Sequence, residues 1–560
     1  MNTNFQRSNI LLSIDKALER WSSILGSDRV LNDSKTLSRY SMNTSSMGTT
    51  PRAVIYPKST DEVSNIIKIA EEFKVPLYAI SGGKNWGYGD ACAVSDGQVI
   101  VDLSQMNRII EIDKTMAYVV IEPGVTQKQL SDYLRENEIP LWMDCTGAGP
   151  DTTLIGNILE RGFGHSYYGN RFQTIAGLEI VLSDGQVLKT GFGHYSQAKT
   201  THLFPYGVGP YLDGLFTQSN LGIVTKLGLW LMPAVECINH FLCFVEKHED
   251  IESVTDSLRP LRLDGTLRSV VHIGNDLRLL SSNHTYPVEL THGQVPLPME
   301  IREELRKKGG IGAWNISGAI YGTSAQVAVT RKILSKALKA KGRKLIFLSE
   351  GKLNFAEHIA SIACFLGISQ WGNNLRAQIR LGKSLFDMNR GVPNGKFLAG
   401  AYWRRQGGLP ANFPHNANPA LDNCGMLWIA PIIPMQGQDV LKLHDIIEPI
   451  FKTYKFDLFI TLSTVNDRTL GAVITIAYDK ESTDEVQRAQ ACYHTAFNSV
   501  MEAGYIPYRI GIQSMSDLVE KTDVYWKTVH TIKSALDPEN IIAPGRYDAS
   551  KHSLTQTKNS

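Results

Sequence analysis

No run of apolar residues in this chain is long enough to span a bilayer, which argues against a membrane-embedded protein. Cysteine is scarce: Cys92, Cys145, Cys237, Cys243, Cys364, Cys424 and Cys492 are scattered, odd in number and never arranged as CxxC. That usage excludes a disulfide framework and a cysteine-based zinc site, and it points to a reducing compartment. His194, His202 and His240 have no metal-ligand spacing, so no metal is predicted. Net charge is also small, +2, which gives no electrostatic case for nucleic acid or an anionic membrane as partner. The first residues, with Ile10 to Leu12 soon interrupted by Asp15, Lys16 and Glu19, read as an amphipathic helix and not as a signal peptide. Lys558-Asn559-Ser560 is not a peroxisomal address, and the predicted location is the cytoplasm. What remains is a small-molecule partner.

What is present is core-forming material: 560 residues, 43% apolar and 20% charged, enough for two large domains or one large split domain. Strands are predicted at 52–56, 76–80, 98–103 and 117–122. Ser59 with Glu62 forms a capping-box pattern ahead of Val63, Ile66, Ile67 and Ala70 at helical spacing, and Thr126 with Gln129 repeats it. Residues 178–182 and 186–190 read as a hairpin closed by Asp184-Gly185. After Pro233 the texture changes to two strand–helix–strand units. The first runs from Ile238 through 251–258 to 314–321; the second runs from Met426 through 439–452 to 456–462 and 471–478. That pattern suits an antiparallel sheet covered by helices, hence an α+β protein. Residues 409–419 and 537–546 are loops, and the chain from His552 onward is expected to fray.

The chemistry-bearing segment is Ser81-Gly82-Gly83-Lys84-Asn85-Trp86-Gly87-Tyr88-Gly89, directly after a predicted strand. Closely spaced glycines expose backbone N–H groups to an anion such as a pyrophosphate and permit positive φ. A nicotinamide-type dinucleotide fold requires a helix next, but here Asp90-Ala91-Cys92-Ala93 and a strand follow. From the loop alone, an anion cradle and a plain turn both remain open.

Four further segments accompany it: 156–162 (GNILERG), 202–216 (HLFPYGVGPYLDGLF), 218–226 (QSNLGIVTK) and 541–545 (IIAPG). Together and in this order the five motifs resemble the vanillyl-alcohol oxidase and p-cresol methylhydroxylase family, over nearly the whole chain. The resemblance implies FAD in a PCMH-type domain made from both chain ends, residues 1–233 and 504–560, with residues 234–503 inserted as a cap over the flavin. It implies Ser81, Gly82, Gly83, Lys84, Asn85, Trp86, Gly87 and Tyr88 around the pyrophosphate. Pro150, Asp151, Thr152, Thr153, Gly156, Asn157, Gly222, Ile223, Val224, Pro544 and Arg546 would follow the rest of the cofactor. Tyr88, Tyr508 and Arg509 match the residues that bind a phenol oxygen and favour its phenolate, a role suited to a permanently cationic fork beside two hydroxyls. The implied activity is hydride transfer from the benzylic carbon of a para-substituted phenol to the flavin. Oxygen or another electron acceptor completes the cycle in an oxidase or dehydrogenase, commonly as a homo-oligomer. A flavoenzyme of a non-phenolic alcohol, sugar or lactone, or a non-catalytic flavin-binding protein, are the alternatives.

Two positions depart from the family. Met426 occupies the position of the histidine that anchors flavin covalently, and a thioether is no nucleophile for that bond, so FAD is expected to be non-covalent; nearby Cys424 and His415 are the other candidates. Ala148 occupies the position of the carboxylate near flavin N5, which leaves Asp144, Asp151 or His165 as replacements, with His165 expected as a base titrating near neutrality. Trp371 and Trp403-Arg404-Arg405 are expected in the substrate roof, and Lys332, Lys336, Lys339, Lys341, Arg343 and Lys344 as one solvated helical face.

Overall fold

A computed structural model describes residues 2–282, 284–339, 343–365, 379, 382–518 and 523–548. Ser59 starts the helix Thr60–Phe73 by accepting a hydrogen bond from the Glu62 N–H, and Val63, Ile66, Ile67 and Ala70 are fully buried. The expected reciprocal bond is displaced by one residue, since the Glu62 carboxylate accepts from the Lys58 N–H at 2.7 Å. Thr126 likewise caps Gln127–Glu136, but the Gln129 amide reaches the Asn107 carbonyl instead of closing a box.

The Thr60–Phe73 helix links Ala53–Ile55 to Leu77–Ile80, and both lie parallel to Val99–Asp102 in a four-stranded sheet completed by Val30–Leu31. Parallel pairing needs such a crossover, and it explains why these strands are apolar on both faces. The C-terminal tail joins the edge of this sheet: Leu77 N–H donates to the Ile541 carbonyl and Ala543 N–H donates back to Leu77, both at 2.7 Å. Buried Lys533 ties the tail down by donating to the carbonyls of Asn220 and Ile542 and pairing with Asp537 at 2.5 Å. The strand that leads into the glycine loop is therefore paired with a segment about 460 residues away.

A second, antiparallel sheet runs Ile109–Asp113, Tyr118–Ile121, Ile223–Trp230, Ile175–Val181, Val187–Lys189. Its last two strands are the predicted hairpin, with Gly185 at φ 78° in the turn.

The third sheet has eight antiparallel strands. The two expected strand–helix–strand units are not separate: a further short strand, His272–Asn275, pairs with Trp314–Gly322 on one side and Phe459–Ser463 on the other. Cys237–Val245 and the edge strand Arg343–Leu348 extend one end, and Thr469–Tyr478 with Gly425–Ile429 and Ile432–Pro434 the other. Side-chain alternation gives this sheet two faces. Phe241, Cys243, Val245, Ile460, Leu462, Ala472, Ile474, Ile476, Leu427 and Ile429 belong to one buried core with the helices Ile251–Leu263, Gly437–Thr453 and Thr483–Glu502. Their neighbours in sequence, Leu242, Phe244, Thr461, Ser463, Val473, Thr475, Met426 and Trp428, face a cavity. Among the described residues no helix is long and apolar enough to cross a membrane. The expectation for His552 onward lies outside the described residues.

Candidate active site

The cavity has a volume of 1460 Å³, with the glycine loop on one side and the large sheet on the other. Sites for a single small molecule usually span about 300–1,000 Å³, so this one has room for a dinucleotide and a substrate. At one end the wall is Ser81, Gly83, Lys84, Asn85 and Trp86, facing Thr152, Thr153, Gly156 and Asn157, with Gly222, Ile223, Val224, Ile542, Ala543 and Arg546 beyond them. The Ser81 and Thr153 hydroxyls bond at 2.7 Å and lock the glycine loop to the chain entering Leu154–Leu159. A side chain on Gly156 would put its Cβ 2.2 Å from the Ser81 oxygen, so that junction requires glycine. The wall at this end offers a buried, unpartnered Trp86 indole N–H. It also offers the Lys84 ammonium, whose partner Asp151 is no nearer than 3.7 Å. Unsatisfied donors and a half-free cation around a cradle lacking Cβ atoms fit an anionic dinucleotide such as FAD.

Five predicted cofactor positions stand behind the wall and not on it. Gly82 packs on the Thr153 methyl, Gly87 (φ 77°) lies under the Trp428 indole, and Asp151 pairs with Lys84. The Pro150 and Pro544 carbonyls accept bonds from Lys128 and Gln98. Gly82, Gly87 and Asp151 thus back Thr153, Trp428 and Lys84, which do line the cavity.

Beside Asn85, Tyr88, Tyr508 and Arg509 come together on the same wall. The Arg509 guanidinium lies 4.6 Å from the Tyr88 ring centre and donates to Asn85 Oδ1 at 2.5 Å. Trp428 from the large sheet meets the Tyr88 ring edge-on at 5.5 Å. The Tyr508 backbone is fixed by the Ala430 carbonyl and the Gln218 amide. Burial pushes both phenols up, and Arg509 opposes that shift. Arg509 Nε is buried and has no hydrogen-bond acceptor. Its carboxylate neighbour, Glu160, is 3.6 Å away and also pairs with Arg546. Glu160, inside the 156–162 segment, and Asp90, just after the glycine loop, are site residues that no motif spacing marks. Asp90 lines the cavity, accepts from Thr44 N–H and hydroxyl, and is pushed up to about 6 by burial.

His165 is on the wall, its ring 4.2 Å from His272 and 5.9 Å from Phe397. The expected near-neutral base is a correction: burial, with His240 and Arg171 nearby, pushes His165 down to about 3. His240 is also held at about 3, and His272 well below its usual value, again by burial. Unfolded imidazoles take up protons as pH falls through about 6.5, whereas these stay neutral until far lower, so the unfolded state gains protons first. Stability is expected to fall on acidification from pH 6.5 toward 3, by about 1.4 kcal/mol per pH unit for each histidine. The urea midpoint at pH 5 should lie below that at pH 7; an unchanged midpoint would refute the assignment of neutral, buried rings.

Asp144 is excluded as a replacement carboxylate by its bonds. It is paired with buried Arg171 at 2.7 Å and accepts from the His165 and Ser166 N–H groups and the Ser166 hydroxyl. Asp151 is engaged behind the glycine loop.

Residues 51–191 match a sequence profile described as FAD binding domain. The chain is 37% identical to 1'-carboxy-chondrochloren decarboxylase of Chondromyces crocatus, over 96% of this chain and 97% of that one. It is 33% identical to the 4-cresol dehydrogenase [hydroxylating] flavoprotein subunit of Pseudomonas putida, over 95% of each. The crystal structure of p-cresol methylhydroxylase with substrate bound superposes with a TM-score of 0.84 at 32% identity, covering 96% of this chain and 98% of that one. The chain belongs to the p-cresol methylhydroxylase and vanillyl-alcohol oxidase family. It is an FAD-dependent oxidoreductase.

Within that family its two departures meet in space. Met426 lies on the cavity face and joins Trp86, Leu398 and Cys424 in a buried apolar cluster on which Ala148 packs. Cys424 and His415 are not on the wall, and burial pushes the Cys424 thiol up to about 12, so it is no nucleophile.

The roof differs from the expected one. Trp403 points away from the cavity and donates to Asp457; Arg404 pairs with Glu485, and Arg405 bonds backbone carbonyls. Phe397, Leu398, Phe413, Trp428 and Phe459 line the cavity instead. Trp371 and Lys341 lie outside the described residues. The basic helical face is shorter than expected, because Arg343 and Lys344 open the edge strand and Lys344 stands on the cavity rim. Among the described residues one group, His248, His444 and Asp445, has ligand atoms within 4.8 Å, on the helix side of the large sheet.

Proposed function

We propose that the enzyme oxidises a para-substituted phenol at its benzylic carbon. The observation behind this reading is the meeting of Tyr88, Tyr508 and Arg509 at the cavity, with a buried Arg509 N–H that has no acceptor. The guanidinium and the two phenolic hydroxyls can donate to a phenolate oxygen, and the guanidinium offsets its charge. Ionising the phenol raises electron density at the para carbon and eases loss of a benzylic hydride. Bound FAD supplies the hydride acceptor; oxygen or another acceptor reoxidises it. Residues 1–233 and 504–560 would hold the cofactor, with 234–503 as the cap. With methionine at 426 the FAD is held without a covalent bond.

With Ala148 apolar, Asp144 locked by Arg171 and His165 a weak base, none of these three is suited to take the place of the family carboxylate in activating water for addition to a quinone methide. The reading therefore favours desaturation to an alkenyl phenol, or oxidation of a benzylic alcohol to the aldehyde. The name of the Chondromyces relative supports a variant of this chemistry, oxidative decarboxylation. A carboxylate on the carbon next to the benzylic position leaves as CO₂, and its bonding electrons restore the phenolate and form the alkene.

The test is anaerobic mixing of the yellow holoprotein with a para-alkylphenol and with its methyl ether. The phenol is expected to bleach the flavin and the ether is not; equal bleaching would remove the phenolate from the account. The same preparation, precipitated with acid, should release its flavin to the supernatant.

A further inference from the structure

We propose that Arg278 binds a carboxylate carried on the substrate's side chain, so that the substrate class is an anionic para-substituted phenol. The proposal rests on the phenol reading and narrows it.

Arg278 lies in the short helix Asp276–Leu280, at the end of the His272–Asn275 strand, and its side chain is on the cavity wall. Its contacts there are minimal: the Ser281 hydroxyl and the Phe397 carbonyl, each at 3.5 Å, the outer limit of a hydrogen bond. Among the described residues no carboxylate pairs with it. Other buried and half-buried arginines differ. Arg171 pairs with Asp144, Arg302 with Asp276 and Arg404 with Glu485, while Arg262 caps three carbonyls at 2.6–2.9 Å and pairs with Asp467. A cation taken out of water is normally paired, because its desolvation is otherwise uncompensated. Burial alone pulls the Arg278 guanidinium below its usual value, with no opposing acidic neighbour. The fold also keeps its place open: a Cβ at Gly400 would lie 2.6 Å from Arg278 Nη1.

The position suits a side chain and not the phenol ring's hydroxyl. Arg278 touches Phe397, whose ring packs on His165, which packs on His272; Arg509 is fixed elsewhere, beside Tyr88 and Asn85. Two cationic points in one chamber match a ligand with two anionic ends. The rest of the wall agrees. Among the described residues its carboxylates are Asp90 and Glu160, both beside the glycine loop or Arg509, whereas the side formed by residues 234–503 contributes Lys308, Lys344, Lys352 and Lys396 and no acid. Exposed Lys308, Lys344 and Lys352 favour the approach of an anion. A carboxylate takes two N–H bonds from a guanidinium in the fork geometry that a lysine cannot reproduce.

The experiment is calorimetric titration of the holoprotein with two probes whose para atom is oxygen, so that no benzylic hydrogen is available: 4-hydroxyphenoxyacetate and the neutral 4-propoxyphenol. The wild type is expected to bind the carboxylate roughly tenfold or more tightly than the neutral probe. Arg278→Met should erase that preference while retaining 4-propoxyphenol affinity, and Arg278→Lys should restore part of it. Absence of a carboxylate preference in the wild type would overturn the proposal even if Arg278→Met failed to fold. An undiminished preference in a folded Arg278→Met would overturn it as well. If neither probe binds, the phenol reading itself fails; if only the neutral probe binds well, the phenol reading stands and the Arg278 assignment falls.

Discussion

Arg509→Ala is expected to lower kcat/KM for a para-alkylphenol by about 10²–10³-fold at neutral pH, the size of effect seen when one preorganised charge-stabilising donor is removed. The guanidinium contacts the Tyr88 face and Asn85 and keeps one buried N–H without an acceptor. Its loss leaves Glu160 with Arg546 alone, so the local field becomes more negative where an anion must form. A free phenol ionises near pH 10, and without the arginine the substrate must be ionised by solvent. The variant's flavin-reduction rate should therefore climb with pH up to that region, while the wild type reaches its plateau at lower pH. Tyr508→Phe removes one hydroxyl and no charge, and a smaller loss, about tenfold, is expected. Stopped-flow reduction without oxygen measures both. A wild-type-like pH profile in Arg509→Ala would mean that the arginine does not stabilise a phenolate.

The second large effect is on stability. Asp144 and Arg171 form a pair that is almost wholly buried, and breaking such a pair by removing one partner costs about 3–5 kcal/mol because a charge is left uncompensated. Arg171 also donates to Asn157 Oδ1 and Gln127 Oε1, and Gln127 holds the Thr146 N–H. Asn157 and Thr146 both line the cavity, so Asp144→Ala should weaken flavin retention as well as lower the melting midpoint. Lys128→Ala is the control, since the Lys128–Asp132 pair is exposed and such pairs contribute about 0–1 kcal/mol. Equal melting midpoints for the two variants would show that the buried pair is not the support described here.

The parts of this architecture that were legible in the sequence are those with local chemistry. Ser59 and Thr126 announce helix starts because a hydroxyl there meets an N–H three residues on, whereas the glycine loop by itself leaves a cradle and a plain turn both open. The union of the two chain ends was implied only by family resemblance; the bonds between Leu77 and residues 541 and 543 are its physical basis. Long-range features were not legible. His272–Asn275 is too short to stand out, yet it welds two units into one sheet by pairing on both edges. Trp403-Arg404-Arg405 looked like a ligand-facing cluster, but Asp457 and Glu485, far away in sequence, claim the indole and the first guanidinium. No local pattern marks Arg278; what distinguishes it is spatial, the absence of a paired carboxylate around it among the described residues. His165 carried the right residue type for a base, but its burial against His272 could not be read from either residue's neighbours in the chain.

The central claim is that a benzylic hydride of a para-substituted phenol reduces the bound flavin. Its most direct measurement is single-turnover bleaching of the holoprotein without oxygen by a para-alkylphenol, compared with the same phenol deuterated at the benzylic carbon. The account predicts bleaching in both, markedly slower with deuterium. Flavin that stays oxidised with such phenols while a non-phenolic alcohol, hydroxy acid or sugar bleaches it would contradict the account.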